Sequence, residues 1–330
     1  MVTINHGSLV ISLDFELLWG MIDQENGAYQ KNILGVYEAL PKMMKLFQQY
    51  QVNVTVATVG FLFFKNKQEL LMYLPTQKPS YIHSKNSPYE NQYIQNIKDD
   101  ETRLYFAPDL IEFLKTFDNV EIGTHTFCHY YCWEKGQTKE QFEEDIKMAV
   151  AVAKKRGIEI RSIVFPRNNV NVDYLSICHK CGIYTYRGNP QKNFKKSSST
   201  LVQIKNRIIR LLDSYFNFSG DNTISYDGLY ADGMINVPAS RFFRPSSSKL
   251  WMIDFLKMRR IKHEMEYAAL KNKLYHLWWH PHNFGINIAK NLNALEVILK
   301  HYQYLYEKYQ MKSYTMDQFS GLIRKLNQQV

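Results

Sequence analysis

"LVISLDFELLWG", residues 9–20, reads as a strand built for the interior that ends on charge. Leu9 to Leu13 is apolar apart from Ser12, and then Asp14 and Glu16 flank Phe15. Side chains two apart on a strand point the same way, so both carboxylates can enter one site while Phe15 turns into packing. Taken alone, an acidic strand end is an ordinary way for a chain to turn into solvent. The sequence downstream gives these two acids company.

Short β-rich runs recur at residues 53–59, 120–124, 162–165, 183–186 and 274–279, and helical periodicity fills 34–50, 108–117, 138–156, 172–180, 286–309 and 316–328. Thr138 with Gln141 forms a capping box at the start of one helix, and Gly157 supplies its stop. Strands alternating with helices at this rhythm imply parallel pairing and an α/β barrel or open sheet, in which chemistry gathers at the ends of strands. Two stretches break the rhythm. Residues 75–104, with Pro75, Pro79 and Pro88, and residues 188–248, rich in Ser, Asn and Gly, read as insertions into one domain covering 1–330.

Composition excludes several classes. With 45% hydrophobic and 22% charged residues over 330 positions, the chain has the profile of a folded globular protein rather than a disordered one. Its longest apolar run, Val54 to Phe64, is closed by Lys65, short of the ~20 residues that span a bilayer, so no integral membrane segment is expected. The first basic residue among Lys and Arg is Lys31, and the early apolar run carries two acids, which is no secretory signal; a cytoplasmic location is expected. Cys178 and Cys181 have a zinc-ligand or redox spacing that Cys128 and Cys132 could complete, although small buried thiols are the commoner use. The net charge of +10 is concentrated: residues 188–263 hold 13 Lys or Arg against five Asp. Anionic partners should meet that region. Within it, Leu201, Ile204, Ile208, Leu211, Leu212 and Tyr215 share one helical face, and Lys205, Arg207 and Arg210 lie elsewhere. Such a basic amphipathic helix can rest on a membrane surface, hold phosphate, or simply pack on its own protein.

Three further stretches carry chemistry. In "IGTHTFCHYYC", residues 122–132, His125 and His129 follow directly on a strand, four apart. Two imidazoles and a carboxylate make a common set for a divalent metal that keeps an open position, and a second carboxylate could then serve as base for an attacking water. In "SIVFPRNNVN", residues 162–171, Arg167 sits at a strand end, where it could hold a carboxylate ionised. In "LYHLWWHPHNFG", residues 274–285, an apolar run reaches His276, His280 and His282, with Pro281 ending the strand.

In this order, the four stretches resemble the motifs of the polysaccharide deacetylase superfamily, the NodB-homology or family 4 carbohydrate esterases. The correspondence runs through Ser12-Leu13-Asp14-Phe15-Glu16, His125-Thr126-Phe127-Cys128-His129, Phe165-Pro166-Arg167-Asn168-Asn169 and Leu277-Trp278-Trp279-His280-Pro281. The resemblance implies an irregular (β/α) barrel of about seven strands that removes an N-linked acyl group from an amino sugar. It assigns Asp14 as base, Arg167 as its partner, His280 as the acid that protonates the leaving amine, and Glu16, His125 and His129 as ligands of a divalent metal. Zinc is the first expectation, with Co2+, Ni2+, Mn2+ or Fe2+ as alternatives. Trp279, His282 and Asn168 are expected to touch substrate. The chain departs from the family pattern in its Asp-Phe-Glu spacing, in placing Pro before Arg, and in lacking a recognisable fourth motif. The expected reaction is N-deacetylation of an amino sugar in a capsule or O-antigen precursor, with a formamido sugar or a catalytically inactive carbohydrate-binding relative as the other readings. The basic region favours a nucleotide- or lipid-phosphate-linked substrate and peripheral contact with the inner membrane face. Nucleic acid is not an expected partner, because it would explain the charge but not the ordered motifs.

Overall fold

The computed structural model describes residues 4–22, 29–190, 220–231, 233–246 and 253–327, with positions 209, 213 and 215. Strand β1 (Ser8–Phe15) is its axis, and all eight of its residues are buried. It pairs in parallel with β9 (Leu274–Trp279) on one side. On the other side its upper half pairs with β2 (Val54–Thr58) and its lower half with β10 (Lys312–Tyr314). Beyond β2 come β3 (Val120–Thr124), β4 (Ser162–Ile163), β5 (Thr185–Tyr186), β7 (Met234–Asn236) and β6 (Tyr230–Ala231); beyond β9 comes β8 (Arg241–Phe242). Among the described residues β6–β7 is the one antiparallel strand pair, alongside an isolated antiparallel bridge between Ile224 and Leu274. The sheet curls without closing.

The helices Gln30–Gln49, Lys139–Lys155 and Ile288–Tyr309 pack their apolar stripes on its outer face. Thr138 and Gln141 form the expected capping box. Three strands, β6 to β8, come from within 188–248, and the helix Asp254–Leu270 follows where periodicity suggested none. Its buried face mixes Lys257, Arg260 and Glu264 with Ile261, Met265 and Ala268, which blurs the apolar repeat. These charges are matched inside. Arg241 donates to both Glu264 carboxylate oxygens at 2.7 Å, and Tyr275 donates to Oε2 at 3.0 Å. No described helix is long and apolar enough to cross a membrane. The proposed basic helix face, with Lys205, Arg207 and Arg210, lies outside the described residues.

One close approach fixes the turn after β9. A Cβ on Gly35 would come within 1.9 Å of the Gly285 carbonyl, and a Cβ on Gly285 within 1.8 Å of the Asn32 carbonyl. Backbone meets backbone, so neither can yield cheaply. Gly285→Ala is therefore expected to lower unfolding stability by at least the ~1–3 kcal/mol of an overpacked core, measured by denaturant titration; an unchanged midpoint would mean the contact is slack.

Candidate active site

The ends of β1, β3, β5 and β9 bring together Asp14, Glu16, His125, His129, Arg187 and His280. The turn after β3 is not helical. Thr126 and His129 adopt left-handed backbone, with φ of 66° and 62°, and three hydrogen bonds hold the loop there. Phe127 N and Cys128 N donate to the two Asp145 carboxylate oxygens at 2.7 and 3.1 Å, and Tyr130 N donates to Thr126 Oγ1 at 2.7 Å. Gly60 lets the turn after β2 lie against Phe127, since a Cβ there would come within 2.4 Å of the ring. Burial pushes the Asp145 carboxyl up to about 6, although both backbone donors oppose that shift. Asp145→Ala should weaken metal affinity ~10–100-fold, the usual cost of losing a group that orients ligands, as read by competition with a chelator.

His125 Nδ1 lies 2.7 Å from the Val164 carbonyl, which can only accept. In the neutral ring the proton therefore sits on Nδ1, and Nε2 turns a lone pair toward Glu16 Oε2, 3.3 Å away. His129 Nε2 is 3.1 Å from the same oxygen yet makes no hydrogen bond. Burial lowers the His129 pKa, against the pull of Glu16. Burial also pushes Glu16 up, but His280, His125 and His129 outweigh it and hold the carboxyl well below its usual range. Two buried imidazole nitrogens and a carboxylate oxygen thus converge, with all ligand atoms within 4.8 Å of one another. Such a donor set fits a divalent cation. Among the described residues no other group of His, Cys, Asp and Glu does so. All four cysteines are free thiols, three of them buried, and no four-thiolate cluster forms.

Asp14 is paired by Arg187, not by Arg167. Arg187 Nη1 and Nη2 each lie 2.6 Å from an Asp14 oxygen, in a fully buried fork-to-fork pair. Burial pushes Asp14 up, and the Arg187 charge, followed by His125 and other contributions, brings it below the ordinary carboxylate value. Arg187 Nη1 also donates to Ser12 Oγ at 2.9 Å, and Ser12 Oγ meets His276 Nε2 at 2.8 Å. Since His276 Nδ1 faces the Val237 carbonyl at 2.9 Å, and burial drops its pKa to about 3, the ring is neutral and Ser12 donates to it. Arg167 instead lies over the Tyr131 ring at 3.8 Å and meets Glu134 at 3.4 Å. The reason is local. Arg167 and Asn168 both adopt left-handed backbone, and the turn presents Asn168 to the interior, where its Oδ1 accepts from Arg187 Nε and Nη2 at 3.1 and 2.7 Å. Asn168 therefore buttresses Arg187. The signal for Arg187 was its place directly after the predicted strand 183–186.

His280 follows β9, 24% exposed, with Nε2 at 3.5 Å from Glu16 Oε1 and 3.8 Å from Asp14 Oδ2. His282 stacks beneath it, ring centroids 5.0 Å apart, with Tyr29 edge-on at 5.4 Å. Burial drops the His282 pKa to about 3, so the ring that stacks on His280 is neutral. Trp279 is also buried, against Phe47, Phe243 and Phe284. Strand alternation gives the site-facing place to its neighbour, Trp278, whose ring carries the Arg187 guanidinium at 4.2 Å.

No family model and no curated protein matches the sequence. Solved structures do match the fold. A protein provisionally described as a polysaccharide deacetylase, from Mycobacterium smegmatis, aligns over 99% of this chain and 93% of its own, with a TM-score of 0.61 and 11% identity. A Pseudomonas aeruginosa PAO1 protein with a similar provisional description aligns over 96% and 89%, at 0.51 and 10% identity. The allantoinase Puue aligns over 93% and 87%, at 0.50 and 11% identity. The chain therefore has the NodB-like polysaccharide deacetylase fold.

Proposed function

We propose that the protein is a metal-dependent hydrolase that removes the N-acetyl group from an amino sugar in a surface-polysaccharide precursor. The observation that carries this reading is the meeting of a Glu16, His125 and His129 donor set with an ionised carboxylate and a half-open histidine at adjoining strand ends. The three donors would hold the metal, zinc being the best fit to two imidazoles and a carboxylate, with Co2+, Ni2+, Mn2+ or Fe2+ as alternatives. When bound, it supplies Lewis acidity to the acyl carbonyl. Asp14, kept ionised by Arg187, takes the proton of the attacking water. His280 gives a proton to the departing sugar amine, with His282 and Asn283 fixing its ring. The basic residues of 188–263 suit a nucleotide- or lipid-phosphate-linked substrate.

Metal-loaded protein incubated with acylated amino sugars, their nucleotide adducts and lipid-linked precursors should release acetate, followed by mass spectrometry. Formate release would redirect the reading to a deformylase, and intact substrates throughout would sink it. Within the same assay His280→Ala should keep its metal, lose ~10²–10⁴-fold in kcat and flatten the alkaline limb of the pH profile. If His282→Ala behaves that way while His280→Ala stays active, the proton donor has been misassigned.

A further inference from the structure

Beside His280 runs a chain of hydrogen bonds whose direction is fixed. The main-chain N–H of His280 can only donate, and it lies 3.3 Å from Asn283 Oδ1, so the carboxamide oxygen faces His280. The same oxygen lies 3.3 Å from His280 Nδ1, which therefore carries a proton and leaves Nε2 as the nitrogen that gains and loses one. The carboxamide nitrogen is turned the other way, and it donates to the Tyr29 hydroxyl oxygen at 3.0 Å. That hydroxyl accepts, while its own proton meets no acceptor among the described residues. Tyr29 stands half-buried at the N-terminus of the helix Gln30–Gln49, its ring edge-on at 5.4 Å to the His282 ring that stacks on His280. Burial raises its pKa, the Asn283 donor opposes that rise, and the Glu16 charge adds to it. The phenol thus stays an O–H donor, close enough to the site to feel Glu16.

We infer that Tyr29 is a substrate-contacting residue whose hydroxyl donates to an oxygen of the sugar whose amine is released. This rests on the proposed reaction for one point, that His280 marks the leaving-amine side. A hydroxyl with one lone pair engaged and its proton unspent is poised for an acceptor from outside the protein, and a sugar carries hydroxyl and linkage oxygens around the carbon that bears its nitrogen. Asn283 couples the two recognitions. One carboxamide sets both the tautomer of the acid and the direction of the phenol, so the site reads the hydroxyl pattern of the sugar as well as its acyl group.

Calorimetric binding to metal-loaded protein of N-acetylglucosamine and of the analogues that each lack one of its hydroxyls, with acetate release followed in parallel, tests this. One analogue should bind ~3–10-fold more weakly than the parent sugar, the scale of one neutral hydrogen bond, and its identity names the oxygen that is read. Tyr29→Phe keeps the ring against His282 and should fold as the parent does. It should bind the parent sugar about as weakly as the unaltered protein binds that analogue, and no longer distinguish the two. Removing the hydroxyl also strips Asn283 of its acceptor, but an effect passed through His280 falls on every sugar alike. Equal affinity of the unaltered protein for all the sugars, a uniform loss in Tyr29→Phe, or a preference that survives it would overturn the inference. Acetate release without hydroxyl dependence defeats the contact alone; a Tyr29-dependent preference without acetate release leaves the contact standing and defeats the hydrolase reading.

Discussion

Asp14→Asn is expected to keep the metal and lose ~10²–10⁴-fold in turnover, the range assigned to a positioned general base. The geometry adds a second consequence. Asp14 and Arg187 are fully buried partners, so removing either charge strands the other in the interior, at a cost of ~3–5 kcal/mol for such pairs. Arg187→Met should therefore be strongly destabilised, and the double variant Asp14→Asn with Arg187→Met less so than Arg187→Met alone. Denaturant unfolding of the three variants reads the coupling directly. If Arg187→Met is as stable as the parent while Arg167→Met loses turnover, the carboxylate has a different partner in solution.

His125→Ala should take the bound metal from one ion per chain to near none, because it leaves two of three protein ligands, and turnover should vanish with it. His129→Ala and Glu16→Gln should do likewise. Circular dichroism should show the fold retained, since the turn holding both histidines hangs on Asp145 and Thr126 rather than on the ligands. Stoichiometric metal in His125→Ala would refute the triad. Metal lost from Asp14→Asn but retained by Glu16→Gln would instead exchange the roles of the two carboxylates.

Much of this site was legible because it depends on spacing along single strands. Asp14 and Glu16 share a face by alternation, His125 and His129 lie on one short turn, and His280 ends a strand stopped by Pro281. What escaped was whatever depended on a neighbouring strand. Arg167 has the right position in its motif, but two consecutive left-handed residues send Asn168 inward in its place, and the Asp14 partner arrives from β5. Trp279 and Trp278 differ by one residue and hence by a face, which the doublet alone could not decide. The strands within 188–248 were missed because each is only two or three residues long, too short for a periodic signal.

The placement of β1 has a consequence for biosynthesis. Its upper half, Ser12 to Phe15, pairs with β2 early in translation, but the opposite side of the strand finds its partner only when residues 274–279 emerge from the ribosome, and the lower half of the β2 side waits for residues 312–314. Until then a nascent chain displays unpaired main-chain groups along an apolar strand, the kind of surface that recruits other chains. The three proposed metal ligands, all within the first 130 residues, are made long before that vulnerability ends. Expression of the chain cut before residue 274 should accordingly yield aggregates that chaperones hold in solution poorly, even though Glu16, His125 and His129 are all present.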